Sequence, residues 1–385
     1  MLSSHTPVRQ KMEESAHDLG LNGQGTKMAR RRPIWETTLR IQLTIIFVIL
    51  TGSSCRTGIK SSDTEAWKDR YTIEVKELLR IGSEDLANDP YVFSGINDLR
   101  IDAADNVYAL DRKEFMIKVF SPTGKYIKTY ELKKGQGPGE FQRPLGFDIA
   151  PNGDLFIADS NSRRITAIDQ TGRFVGAMTL RAIPESIAVD QEGSVFSTED
   201  AFRDKGEYLV HKYHFPDGKV LGAFCPNTEL AQWIGQVGGW GDICLSPRGN
   251  ILYSFDIPYD IREFTPKGQL VNQFGRKIPG WKPPRISYEG LPYSPISTMG
   301  IDTFPDGKIL HVLFDKRSKP YITYFDIFDE HGTWLISFDT RQHIKDKFGR
   351  MARIDGQGYV YMEFWEPFPH IRKYSIEFVP VKARQ

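Results

Sequence analysis

Residues 133–144 read KKGQGPGEFQRP, with three glycines in five positions at Gly135, Gly137 and Gly139. Such a density suits either a backbone that cradles a phosphate or a chain that must turn sharply. A phosphate loop works by opening a helix, whose first amides and dipole meet the anion. This cluster instead follows YIKTYEL and runs into FQRPLGFDIA, both strand-like, and no Lys-Ser/Thr pair follows the glycines. The segment therefore reads as a strand-to-strand crossing, where glycine permits backbone conformations closed to other residues.

Other chemistry-bearing residues are equally restrained. His211 and His214 stand three apart on a strand pattern and so point to opposite faces, which prevents a shared metal. His311 and His370 fall in strands or at their edges, and neither G-x-S-x-G nor H-E-x-x-H occurs. The three cysteines, Cys55, Cys225 and Cys244, give no zinc spacing and no disulfide scaffold. Cys225 and Cys244 read as buried thiols, with pairing as the alternative in an exported chain. With 50 basic against 49 acidic residues the formal charge is +1, which gives no global reason to bind nucleic acid.

The elements that must position these residues emerge from a repeat. An apolar strand, a tight Gly/Asn/Asp turn and a second, aromatic or β-branched strand recur six times: LRIDAADNVYALD (99–111), FDIAPNGDLFIAD (147–159), IAVDQEGSVFSTED (187–200), ICLSPRGNILYSFD (243–256), IDTFPDGKILHVLFD (301–315) and ARIDGQGYVYMEF (352–364). A second glycine turn, leading into alternating apolar and polar residues, follows the first five copies: SPTGKYIKTY, DQTGRFVGAM, FPDGKVLGAF, TPKGQLVNQF and DEHGTWLISF. Each unit is thus a four-stranded meander. Aligned turn positions at Asp105, Gly153, Gly193, Gly249, Gly307 and Gly358 leave spacings of 48, 40, 56, 58 and 51 residues, so the variable part lies in loops. The acids that end the second strands, Asp111, Asp159, Asp200, Asp256 and Asp315, repeat once per unit and read as caps of the loop that follows.

Six such sheets in series predict an all-β fold, a six-bladed β-propeller over 70–385. The sixth unit lacks an outer strand, and YTIEVKELLRIG (71–82) is expected to supply it and close the ring. DSNSRRITAIDQTGRF (159–174) resembles the core of an NHL repeat, and GQGPGEFQRP is similar to the inter-blade segment of bacterial six-bladed propellers, many of them exported lipoproteins. The likeness is strongest in the first two units; DKRSKPYITYF, in the fifth, lacks its Asn and Arg. The resemblance implies a fold and spans both scaffolds and enzymes. Among its enzymes are calcium-dependent lactonases or esterases and zinc-dependent lyases, whose ligands converge on the central channel. Inner-strand starts here offer Asn97, Asp98, Asp148, Glu185, Asp242 and Arg350. A calcium site built from Asn97, Glu185 and Asp242 is one reading; polar groups that merely line the channel are the other.

In a propeller the crossings between blades and the loops joining second to third strands emerge on one side. The long segments 225–241, 275–297, 339–350 and 365–370 all belong to that class. They bring Trp233, Trp240, Trp281, Tyr288, Tyr293, Trp365 and Phe368 to one face, with Arg143, Arg164, Arg285 and Arg350. Aromatics with arginines suit stacking on sugars or side chains and pairing with anions. The expectation is a non-catalytic face for a protein, peptide or glycan, with no cofactor; the alternative is a propeller enzyme holding calcium or zinc in its channel.

Ahead of the repeat, Arg30, Arg31, Arg32 and Arg40 precede an apolar run, Ile41 to Thr51, and then Gly52, Ser53, Ser54 and Cys55. A basic region, a short apolar stretch and small residues make a secretory signal, too short for comfortable bilayer spanning. TGSSC resembles a bacterial lipoprotein signal in which Cys55 is lipidated, although Gly52 stands where Leu is usual. Simple cleavage and an uncleaved membrane anchor remain the other readings. The expected organisation is a polar extension over 1–27, with Met28 as an alternative start, a signal over 28–55, a linker over 56–69 and then the propeller, located in a bacterial cell envelope.

Overall fold

The computed structural model describes residues 71–87, 89–199, 207–227, 241–255, 259–278, 285–286, 292–293, 296–317, 321–342, 344 and 349–380. Six four-stranded antiparallel sheets form a β-propeller. The first blade runs outward through Ile96–Ile101, Val107–Asp111, Met116–Phe120 and Tyr126–Glu131. The next four blades repeat that order, with inner strands Pro144–Ile149, Pro184–Val189, Gly241–Leu245 and Ile296–Thr303. Two single-turn 3-10 segments, Asp89–Tyr91 and Thr340–Gln342, are the helical elements among the described residues, and none of these is a helix long and apolar enough to cross a membrane.

Burial explains why the sequence alternates as it does. The second strands VYALD, LFIAD, ILYSF and VYMEF are buried at every position, because a neighbouring blade covers each face, and they read as largely apolar runs with a polar residue last or next to last. Outer strands such as FVGAMT are half exposed and mix polar with apolar residues. The core is divided accordingly into six clusters, one between each pair of adjacent blades: Leu110, Phe147 and Ile157 join the first to the second, and Ile81, Phe120 and Tyr361 the sixth to the first. Burying each such side chain contributes roughly 1.5–3 kcal/mol.

Closure is as expected. The early strand Tyr71–Ile81 pairs antiparallel with His370–Pro380, from Tyr71 opposite Pro380 to Ile81 opposite Ile371, and becomes the outermost strand of the sixth blade. Arg372 Nη1 reaches Glu77 across this seam at 3.0 Å. The turn alignment also holds: Asp105 takes φ 62° where the other blades have glycine at 77–86°. Its carboxylate then accepts Gly356 N at 2.7 Å and Gln357 Nε2 at 2.9 Å, tying the first blade's turn to the sixth's.

The glycine segment behaves as a crossing. Phe141 N donates to Lys133 O at 2.8 Å and Gly137 N to Glu140 Oε2 at 2.8 Å, while Arg164 donates to the carbonyls of Gln136, Gly137 and Glu140. A Cβ on Gly135 would lie 2.1 Å from Glu140 Oε2, so this position excludes a side chain while Glu140 keeps its place.

Candidate functional site

Six inner strands facing one axis bring their alternate residues into rings. The position five before each turn glycine supplies Arg100, Asp148, Ala188, Cys244, Asp302 and Arg353, which together line a cavity of about 180 Å³. Two positions earlier stand Asp98, Ser186 and Asp242, which line a second cavity of about 370 Å³. Between the two, guanidiniums bridge blades. Arg353 reaches Asp242 at 2.8 Å and Asp98 at 3.5 Å, and its Nε donates to Leu99 O at 3.1 Å. Arg100 reaches Asp98 at 2.6 Å and Asp148 at 3.4 Å.

Each of the four carboxylates also accepts an amide from the inner strand of the following blade. Asp98 takes Phe147 N at 3.0 Å, Asp148 takes Val189 N at 2.7 Å, Asp242 takes Ile301 N at 3.1 Å and Asp302 takes Ile354 N at 2.8 Å. Burial pushes Asp98, Asp148 and Asp302 above the usual carboxylate range despite the nearby arginines. Burial acts on Asp242 in the same direction, but Arg353 and Arg100 outweigh it and its pKa falls. The Arg353 guanidinium, which burial alone would push down, is pushed up by Asp242, Asp98 and Asp302.

On the loop side, above these rings, opens a cleft of about 680 Å³. Asn97, Leu145, Glu185, Ser186 and Gly241 from the inner strands form its floor. Its walls are Ser94 and Arg143 from the segments entering the first two blades, Arg112, Lys113, Ser160 and Asn161 from their second-to-third-strand loops, and Trp365 from the sixth blade. Trp365 is 51% exposed, large for an indole that no function requires to meet water. The recurring aspartates set this rim. Asp111 accepts Ser94 N at 2.7 Å, and Asp159 accepts Gln142 N and Arg143 N, each at 2.7 Å. This corrects the expectation that they cap the loop that follows: their chief donors lie 16–17 residues upstream, in the entering segment. Asp315 does cap its own loop, through Arg317 N at 2.9 Å.

The expected site residues separate into groups. Arg143, Trp365, Asn97 and Glu185 line the cleft. Phe368 lies beside it, with its ring 5.1 Å from that of His370 and its carbonyl accepting His370 Nδ1 at 2.7 Å. Arg164, expected on the binding face, is committed to the backbone of the glycine segment. Of the three residues considered for calcium, Asn97 donates its amide to Leu145 O, and Asp242 is taken up by Arg353, Ser186 and Ile301 N. A cation there would meet a guanidinium 2.8 Å from its ligand, and among the described residues no three His, Cys, Asp or Glu side chains gather as a metal-holding group.

Of Arg285, Tyr293 and Arg350 only the backbone is described: Arg285 faces Tyr293 in a short hairpin, and Arg350 lies opposite Glu363. Trp233, Trp240, Trp281, Tyr288, Asp200, Asp256 and the N-terminal segments with Cys55 lie outside the described residues. The readings of residues 1–69 as extension, signal and linker do so too.

Fold and cleft together define a six-bladed β-propeller with a polar cleft at one end of a charge-filled channel. The family model DUF5128, a 6-bladed beta-propeller, matches residues 87–218, the part that carries most of the cleft. Among solved structures, a Bacteroides fragilis protein named as an exported one aligns with TM-score 0.57 at 10% identity, over 82% of this chain and 98% of its own. A member of the duf4221 family from Bacteroides vulgatus gives 0.57 at 10%, covering 79% and 98%. A streptogramin B lyase gives 0.52 at 14%, covering 81% and 100%. At these identities the likeness is one of fold. A comparison with curated proteins gives no match.

Proposed function

We propose that the chain is an exported propeller that binds a glycan in the loop-side cleft without catalysing a reaction on it. The observation that carries this reading is the half-exposed Trp365 set among Asn97, Asn161, Ser94, Ser160 and Arg143 around a cleft of about 680 Å³. An indole face stacks on the apolar face of a sugar ring, while amides, hydroxyls and guanidiniums exchange hydrogen bonds with its hydroxyls. The volume falls in the range of small-molecule sites. Catalysis is disfavoured by the lining itself. Among the described residues Glu185 is its sole carboxylate, whereas most glycoside hydrolysis needs two, and no histidine stands beside the serines to activate them.

Export is supported by the basic, apolar and small-residue succession of residues 30–55, and by a fold shared with a Bacteroides fragilis protein whose name is that of an exported one. Anchoring in the envelope, by lipid on Cys55 or by the apolar segment, belongs to the same proposal.

The test is a saccharide panel probed with the full chain and with Trp365→Ala. Capture of a defined saccharide, weakened at least tenfold by the substitution, supports the reading. Capture only of peptides, or of saccharides at equal strength by both proteins, rejects it.

A further inference from the structure

We propose that the saccharide taken by this cleft is anionic, its carboxylate or sulfate received by Arg143 and Lys113. The inference rests on the glycan reading and adds a charge requirement to it. Among the described residues no carboxylate pairs with the Arg143 guanidinium or the Lys113 ammonium, although both line the cleft. Some exposed cations elsewhere find acids, as Lys133 meets Glu140 at 2.5 Å, Arg317 meets Asp315 at 2.7 Å and Arg341 meets Asp339 at 2.6 Å; what sets Arg143 and Lys113 apart is that they share one concave site. Two cations that line one concave site without acids can receive a negative ligand.

The Arg143 backbone and the Lys113 stem are held from behind. Arg143 has its amide fixed by the buried Asp159 at 2.7 Å, and its carbonyl accepts Ser160 N at 3.1 Å. The Lys113 stem lies along Gly95, where an added Cβ would stand 3.2 Å from Cδ and Cε, so the glycine makes room for the lysine. Such prior fixing reduces the entropy lost on binding. With Arg112 the described lining counts three cations against one carboxylate, Glu185, which belongs to the inner-strand floor and also lines the channel cavity below. Arg offers a planar fork that matches a carboxylate or sulfate, and Lys a point charge beside it.

The experiment measures binding of the full chain to matched oligosaccharides that are neutral, uronate-bearing or sulfated, at low and high salt. Arg143→Gln, Lys113→Gln and the double variant are measured alongside, with thermal melting as the check on folding. The expected result is tenfold or greater preference for an acidic oligosaccharide, lost in the double variant and reduced several-fold by salt. The uronate and sulfate arms identify which anion is received. Neutral saccharides bound as tightly as acidic ones, unaffected by the substitutions, would overturn the charge requirement and leave the glycan reading standing. Failure of every saccharide to bind would overturn both.

Discussion

The channel and the cleft above it share the inner strands of the first four blades, yet they treat charge in opposite ways. In the channel Asp98, Asp148 and Asp242 each meet a guanidinium, and all four channel aspartates take an amide from the next blade. In the cleft Arg143 and Lys113 have no acid among the described residues. Buried charges that are mutually satisfied fix a structure, because losing one leaves the others uncompensated. Exposed charges without a partner contribute little to folding. The number of ionisable groups does not separate channel from cleft here; the completeness of their pairing does.

The sharpest way to break this comparison is Arg353→Met. The guanidinium spans the sixth, fourth and first blades, and its loss leaves Asp242 without its principal counter-charge and Asp98 with Arg100 alone. Removal of one partner from a buried network costs about 3–5 kcal/mol. Chemical denaturation should show that loss in the midpoint at unchanged slope. A change below about 1 kcal/mol would mean that the channel charges are solvated and not structural.

A second buried polar contact carries a pH signature. His311 is fully buried, with Nε2 2.8 Å from Ser254 Oγ on the neighbouring blade and its ring 4.8 Å from that of Tyr259. Burial lowers its pKa from 6.5 to about 4, against the opposing pull of Asp326. The folded chain therefore resists a proton that the unfolded chain accepts. This stabilisation is complete above pH 6.5 and is lost as pH falls toward about 4. At about 1.4 kcal/mol per pH unit the full change is on the order of 3 kcal/mol. Asp98, Asp148 and Asp302, raised by burial, act with the opposite sign over mildly acidic pH, since their folded forms bind protons more readily than their unfolded forms. Comparing the chain with His311→Gln cancels those contributions. The variant should show the shallower loss of stability between pH 6.5 and 4, and parallel curves would contradict the assignment.

The scaffold was largely legible in the sequence because its packing is periodic. A strand covered on both faces must be largely apolar, so VYALD, LFIAD and VYMEF announce themselves, and a glycine at φ near 80° marks the tight turn in five of the six blades. The strand 71–81 could be assigned because the sixth repeat was one strand short. The cleft was legible only in part. Trp365 and Arg143 follow from the side on which loops emerge, but Lys113 and Asn161 sit in short loops that an argument weighted toward loop length passes over. The same side rule applied to every second-to-third-strand loop, whatever its length, would have found them. Pairings such as Arg353 with Asp242, 111 residues apart, carry no local signal at all.

Two arginines expected to share one role give the smallest and most discriminating test. Arg164 donates to three carbonyls of the glycine segment, whereas the Arg143 guanidinium meets no partner among the described residues. Hydrogen bonds from charged donors contribute about 1.5–3 kcal/mol, so Arg164→Ala should lower stability by roughly 2 kcal/mol. Its effect on ligand affinity should be slight, because its guanidinium faces the crossing and not the cleft. Arg143→Ala should do the reverse, changing stability by less than about 0.5 kcal/mol, as surface substitutions do, while weakening binding. Thermal melts and binding curves on both variants form a crossed design. If Arg143→Ala destabilised the fold as much as Arg164→Ala, its charge would be structural, and the contrast between a satisfied channel and an unsatisfied cleft would lose its best example.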